Sequence, residues 1–376
     1  MKTYLVGGAV RDELMGMPSS DHDYVVVGAS EADMLARGFK KVGADFPVFM
    51  DENGDQYALA RKERKTGAGY LGFETTFDPS VTLEDDLRRR DLTINAIAKD
   101  VDTGEIVDPF NGRQDLELGL LRHVSEAFAE DPLRVIRLAR FYARWPKFDV
   151  AQDTIELARS IVKSGEMDAL SDERYYAEIE KMFSQSDQPS RFFSALMALG
   201  VWRWQGFMHD DRAGIRSTVK FMDDLFGTIL YDMHDVLRFA DAVKRAEPGT
   251  QTSFFVAVVA GNARQASPAI PAYTKKLTQA MRKLNDCRQT AEHLHALLHS
   301  VRGFDADSPA ANDLTKIMAL GESIGLEWPF EAQQYSTAKS FAQSVKADKF
   351  MHLAGPEIGK AMTAARIATM RNVIGA

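Results

Sequence analysis

The stretch that most constrains this chain covers residues 4–28, YLVGGAVRDELMGMPSSDHDYVVVG. An apolar strand, Tyr4-Leu5-Val6, stops at Gly7-Gly8, and the segment from Gly8 through Arg11 and Asp12 opens a short helix. The free N–H groups of a glycine-initiated helix form a cradle for phosphate. A second strand then opens on Asp21 and Asp23, two residues apart, and alternating strand side chains point both carboxylates the same way. Paired carboxylate oxygens suit Mg²⁺, which keeps some of its water and shares its shell with substrate phosphates. A glycine pair or an Asp-x-Asp triplet alone is as often an ordinary turn. Strand, glycine turn, arginine and acidic strand head in one unit carry more information than any piece.

The remaining composition limits the alternatives. With 376 residues, 45% of them hydrophobic and 27% charged, the chain has the length and apolar content for roughly two to four packed units. No segment approaches the roughly 18 apolar residues of a membrane span, and charges at Arg11 and Asp12 interrupt any leader-like core, so the expected location is the cytoplasm, with no membrane partner. Cys287 is the single cysteine, which excludes an intrachain disulfide and a cysteine-based zinc cluster. The formal charge of −8 argues against a protein that coats nucleic acid electrostatically. Residues 273–302 and 337–376 each hold six Lys/Arg against two acids, and either stretch is a phosphate-facing stripe or a solvated helix face.

Along the chain, Ser30 predicts a capped helix to about Gly38, and residues 46–50 and 56–62 predict strands around the Asn53-Gly54 turn. Residues 63–81, glycine-bearing and without periodicity, read as a mobile loop. Thr82 with Asp85 is a capping-box pattern, and the following LEDDLRRR segment spaces Glu84/Arg88, Asp85/Arg89 and Asp86/Arg90 for i,i+4 pairing. Residues 106–109 and 121–124 predict short strands on either side of a turn and helix at Asn111-Gly112. In EDPLRVIRLAR, Asp131 reads as the N-cap and Pro132 as the first helical residue. Each step of three residues turns about 300° and rises about 4.5 Å, so Arg134, Arg137 and Arg140 form a slanting basic band. Beyond residue 145 the pattern is helical, with helices expected over 151–164, 172–185, 189–200, 213–226 and 232–246.

Taken in order, GGAVRD, DHD, the glycine-bearing loop, RRDLTINA and EDPLRVIRLAR resemble the motifs of bacterial class II tRNA nucleotidyltransferases. These are the CCA-adding enzymes and the related bacterial poly(A) polymerases, in the nucleotidyltransferase superfamily that includes DNA polymerase beta. The likeness covers roughly residues 1–145. It implies an α+β chain: a nucleotidyltransferase head with a small mixed β-sheet over 1–125, a helical neck that recognises the base over 126–205, and an all-α body and tail that binds tRNA over 206–376. Asp21 and Asp23 would hold catalytic Mg²⁺. Gly8 and Arg11 would contact the triphosphate, and Arg90 and Asp91 the nucleotide phosphate and ribose hydroxyl. Asp131 and Arg134 would face the base edge, with Arg137 and Arg140 behind them. The substrates implied are CTP, ATP and a tRNA held by its acceptor stem and elbow, with no obligate protein partner, and the loop over 63–81 would move between C and A addition.

Two departures accompany the likeness. Where the superfamily often carries a third carboxylate, this chain offers Gln56, with Asp55 on the opposite face. Relatives with a metal-dependent HD phosphohydrolase domain carry a His-Asp pair after an apolar helix, but here residues 254–262 read FFVAVVAGN, so that region is expected to be degenerate. His209-Asp210 and His234-Asp235 lack the other spaced ligands of such a site. The alternatives are an enzyme adding only A or only CC, a poly(A) polymerase, or an RNA-binding module without catalysis.

Overall fold

Strands β1 (Lys2–Val6) and β2 (Asp23–Val27) run antiparallel, with Val6 opposite Asp23 and Tyr4 opposite Val25. In β2, Val25 and Val26 are both buried and, being adjacent, point to opposite faces. Both faces of the sheet are therefore covered. One face buries Tyr4, Val6, Val25, Ala60, Leu87 and Ala98; the other buries Val26, Met34, Phe49 and Leu59. The computed structural model describes residues 1–19, 22–42, 48–65, 73–205, 214–217, 233–246, 251–260, 271–305 and 307–375.

The sheet has seven strands in the order β3 (Lys40–Val42), β4 (Val48–Met50), β5 (Gln56–Leu59), β2, β1, β8 (Ala98–Asp100) and β9 (Ile106–Val107). Only the β2–β5 pair is parallel, which makes the sheet mixed and sets Gln56 beside Asp23. The expected Asn-Gly hairpin joins β4 to β5: Gly54 adopts φ +91°, and the Asp51 carboxylate accepts the N–H groups of Asn53 and Asp55, both at 2.9 Å.

Helix α2 (Glu31–Ala36) starts at the expected Ser30 cap, which forms a capping box with Asp33, and α3 (Leu83–Arg88) at the expected Thr82–Asp85 capping box. Part of the stretch expected as a loop over 63–81 differs from that expectation, while residues 66–72 lie outside the described residues. Strands β6 (Lys62–Lys65) and β7 (Phe73–Thr76) pair antiparallel, Lys62 opposite Thr76, so backbone pairing replaces the irregular path that weak periodicity suggested. The i,i+4 ladder on α3 is also only partly formed. Glu84 pairs with Arg88 at 2.6 Å, but Lys62 takes Asp85 at 3.1 Å, and Asp86 holds both Arg89 and Arg90.

Helix α4 (Gly112–Leu118) is seated by close backbone approach. A Cβ at Gly112 would lie 2.2 Å from the Thr93 carbonyl oxygen, so only glycine fits. Asp108 accepts the Gly112 and Arg113 N–H groups at 2.8 and 2.9 Å, and Asp115 accepts the Thr93 hydroxyl at 2.7 Å. Strand β10 (Leu120–Leu121), shorter than the expected 121–124, pairs parallel with β11 (Asp149–Val150). Between them lies helix α5 (Leu133–Arg144), and α6 (Gln152–Ser164) follows.

Contacts divide the chain into two units, Met1–Leu170 and Ser171–Ala376. The second is mostly helical. Helices Asp172–Gln185, Pro189–Ala198 and Met233–Lys244 match expected spans to within a few residues, and further helices continue to Gly355–Ile374. A strand pair, Trp202–Gln205 with Gly214–Ser217, stands where the expected helix over 213–226 would have begun; residues 218–226 lie outside the described residues. Helix Gln251–Ala260 buries Phe254 and Phe255, with Phe255 4.6 Å from the Phe193 ring and 5.4 Å from Phe183. The His209-Asp210 pair lies outside the described residues, as does Asn262. No helix among the described residues is long and apolar enough to cross a membrane.

Candidate nucleotidyl-transfer site

The glycine turn is a consequence of backbone geometry. Gly7 sits at φ +72° and ψ −127°, a region that side chains with a Cβ do not occupy without strain, and it delivers β1 into α1 (Gly8–Leu14). Its N–H donates to the Ile97 carbonyl at 3.1 Å and its carbonyl accepts from Arg11 N–H at 3.0 Å. A Cβ on Gly7 would lie 2.9 Å from Arg90 Nη1, so the Arg90 guanidinium rests directly on the turn. Arg90 Nη2 donates to Asp86 at 3.2 Å, while its Nε is buried with no hydrogen-bond partner among the described residues. A cation with an uncommitted donor beside a glycine turn is a fitting phosphate contact.

Asp23 heads β2 as an exposed residue, facing Val6 across the antiparallel ladder and Gln56 across the parallel one. Its carboxylate thus lies at the strand end that leads into Gly7-Gly8. Asp21 lies outside the described residues. The exposed Asp23 carboxylate suits a hard divalent cation that retains water, and the neighbouring Gln56 carries one neutral amide oxygen on the adjacent strand. Among the described residues no group of three His, Cys, Asp or Glu side chains gathers to hold a metal.

Arg11, expected to reach the triphosphate, is 4% exposed and engaged on several sides. It donates from Nε to Asp12 at 2.8 Å and from Nη1 to Asn95 at 2.5 Å, and its guanidinium lies 4.9 Å from the Trp145 ring centre. Burial lowers its pKa, an effect countered by Asp12. The position a Gly8 Cβ would take lies 3.5 Å from Arg11 Nη2, so this guanidinium sits beneath the turn.

Asp91 is equally committed. Oδ1 accepts from Leu92 N–H at 2.8 Å and Asn95 Nδ2 at 3.0 Å, and Oδ2 accepts Arg137 Nε at 2.8 Å and Nη2 at 2.7 Å. Burial would raise its pKa, but the charge of Arg137, hydrogen bonds from Asn95 and Arg137, and the charge of Arg134 hold it well below the usual carboxylate range. Asp86 behaves alike: burial opposes the charge, and Arg89 and Arg90 lower the pKa in spite of it.

Helix α5 begins one residue later than its sequence suggests. Pro132 occupies the cap position and Leu133 the first helical one, yet the Asp131 carboxylate still accepts Leu133 N–H at 3.1 Å. The expected basic band is not evenly exposed. Arg134 is buried and donates to the carbonyls of Ala127 and Arg89, each at 2.5 Å. Arg140 is buried over the Phe141 ring at 4.2 Å, whereas the Arg137 side chain retains 32% exposure. The apolar positions between the arginines force this, because Val135, Ile136 and Leu138 face the core and draw their neighbours inward.

Asp12, Asn95 and Arg144 were not singled out from the sequence, yet they complete a continuous polar path. Arg144 donates to Asp12 at 3.3 Å, Asp12 holds Arg11, Arg11 reaches Asn95, and Asn95 reaches Asp91 and thence Arg137. Asp12 and Asn95 lie inside GGAVRD and RRDLTINA, and a polar residue held within an apolar run was the available signal.

A mixed sheet whose glycine turn and acidic strand head meet under a basic side chain defines the nucleotidyltransferase class of head. Comparison with known proteins agrees. Residues 3–122 match the Poly A polymerase head domain family. The "Multifunctional CCA protein" of Aromatoleum aromaticum is 57% identical over 52% of this chain and 48% of its own length, so that match spans about half of the relative. The "Multifunctional CCA protein" of Xanthomonas euvesicatoria pv. vesicatoria is 38% identical over 98% of both chains. The "Thermotoga maritima CCA-adding enzyme complexed with tRNA_CCA" shares the fold, with a TM-score of 0.61 over all of this chain and 90% of that one at 18% identity. The chain belongs to the family of the multifunctional CCA proteins.

Proposed function

We propose that this protein adds C, C and A to the 3′ end of tRNA from CTP and ATP, without a nucleic-acid template, and releases pyrophosphate. The observation that carries this reading is the convergence of the Gly7-Gly8 turn, Asp23 and Arg90 at one end of the sheet. The relatives named above for CCA support the choice of nucleotides and acceptor. In the reaction, the RNA 3′-hydroxyl oxygen bonds to the α-phosphorus, the bond from that phosphorus to the bridging oxygen breaks, and the hydroxyl proton leaves to solvent. Asp21 and Asp23 would hold Mg²⁺, which when bound makes the hydroxyl more acidic and offsets charge on the phosphates.

The N–H groups at Gly8 and the Arg90 guanidinium receive the triphosphate. Arg11 supports the turn from below and adds positive charge to it. Asp91 has its acceptor positions in use, so a ribose hydroxyl contact there would exchange with one of its present donors. Asp131, at the start of α5, offers an acceptor to the base edge, and Arg134, whose Nη1 and Nη2 now donate to the carbonyls of Ala127 and Arg89, would exchange one of those bonds for the base, with Arg137 and Arg140 behind. Because an acceptor beside donors complements cytosine or adenine and leaves guanine or uracil mismatched, the protein itself selects the base. In this reading residues 1–125 form the head, 126–205 the neck, and 206–376 the body and tail that hold the acceptor stem and elbow, in the cytoplasm.

The test offers Mg²⁺ and tRNAs ending before CCA, after C and after CC, with each nucleoside triphosphate alone and together. Ordered addition that stops after CCA is expected. Addition of only CC or only A, an unlimited A tail, or no incorporation would each replace the reading with a different one.

A further inference from the structure

Asn95 is buried, and both ends of its amide are committed to charged partners. Its Oδ1 accepts from Arg11, the residue beneath the glycine turn, at 2.5 Å, and its Nδ2 donates to Asp91 at 3.0 Å. The direction of these bonds is fixed by chemistry: a guanidinium only donates and an ionised carboxylate only accepts. A residue between them must therefore do both. Asp91 in turn holds Arg137 through two bonds, and Arg137 lies about one turn along α5 from Arg134, which with Asp131 is proposed to read the base. At the other end of the path, Arg144 of the same helix reaches Asp12, which holds Arg11. The helix that would read the base and the turn that would hold the phosphates are thus joined at two points. Asn95 is the one neutral side chain among the six residues of the path.

We propose that Asn95 is a positioning residue that registers the base-reading helix against the phosphate turn, so that a mismatched base displaces the phosphates. This rests on the nucleotidyl-transfer reading above. Aspartate at 95 would keep the bond from Arg11 but set two carboxylates against each other at Asp91. Leucine would keep the approximate volume and lose both bonds.

The test compares wild type, Asn95→Asp and Asn95→Leu. Each is assayed for CTP and UTP incorporation, for equilibrium binding of CTP, UTP and inorganic tripolyphosphate, and for its thermal midpoint. Loss of a hydrogen bond to a charged group predicts a fall of about 10-fold or more in the CTP/UTP ratio for both single variants. Tripolyphosphate binding should change by less than about 3-fold, since that probe carries no base. An unchanged ratio in a single variant that melts like wild type would overturn the proposal. A wild type that prefers CTP in binding but incorporates nothing would refute the functional reading while the binding ratios still decide the role of Asn95. A wild type without any preference would refute both.

Discussion

Arg137 grips Asp91 through two bonds to a single carboxylate oxygen, Nε at 2.8 Å and Nη2 at 2.7 Å, across 46 residues of sequence. This pair ties the turn after α3 to helix α5. Breaking a buried pair by removing one charge leaves the other uncompensated and costs about 3–5 kcal/mol, although the exposed edge of Arg137 brings the expectation toward the low end. The Asp91 pKa lies below its unfolded value of about 3.9, so its stabilising contribution is complete above about pH 5 and is lost as pH falls through the folded value. Asp91→Asn should therefore be less stable than wild type at pH 7 by about 3 kcal/mol, and the gap should narrow below about pH 4. Denaturant titrations at pH 7 and pH 3 measure both. An equal gap at the two values would mean that Asp91 is not held by charge.

Gly7→Ala addresses the turn. At φ +72° and ψ −127° an alanine is strained by about 1–3 kcal/mol, and its Cβ would meet Arg90 Nη1 at 2.9 Å. The far end of Arg90 can swing away, so the variant should still fold, with a lower melting midpoint and weaker triphosphate binding. Arg90→Ala should weaken triphosphate binding without the backbone strain. If Gly7→Ala binds tripolyphosphate as wild type does, the contact between the turn and Arg90 is not used.

How much of this was legible depended on how local each feature was. The cap at Ser30 and the capping box at Thr82 involve residues three apart, and both were readable. The Asn53-Gly54 hairpin and the helix over 172–185 were readable for the same reason. Spacing pairs Asp85 with Arg89 on one helix, but Lys62 of β6 takes it instead, from a separate strand earlier in the sequence. From its motif Arg11 reads as an arm reaching for phosphate, since spacing gives no sign that Trp145 and Asn95 enclose it. Likewise, nothing local announces that Gly112 lies against the Thr93 carbonyl. The motifs mark the proposed site, and the long-range pairs determine which of its side chains remain open to a ligand.

Asp131 separates base reading from helix capping. Its carboxylate accepts Leu133 N–H at 3.1 Å, so Asp131→Ala should cost about 0.5–2 kcal/mol of stability whatever its other role. If the same carboxylate faces the base, the variant should also accept UTP or GTP more readily while tripolyphosphate affinity changes little. Asp131→Ser, which can still cap, should restore stability without restoring selectivity. Unchanged selectivity in both would reduce Asp131 to a capping residue.

Asp23 gives the most direct check on the chemistry. It is exposed at the head of β2, so Asp23→Ala removes no buried contact and should change the melting midpoint little. Charge stabilisation of several kcal/mol at the reacting phosphate would be lost, which at about 1.4 kcal/mol per factor of ten predicts a fall in incorporation of roughly three orders of magnitude. Asp21→Ala should do the same. Both variants should bind tRNA nearly as wild type, since acceptor-arm binding rests on shape and phosphate contacts elsewhere. Filter binding with tRNA and single-turnover addition of CMP in Mg²⁺ separate the two effects. Incorporation retained within about 10-fold in either variant would remove that carboxylate from the proposed metal site, because a direct ligand contributes more than the 1.4 kcal/mol such a change represents.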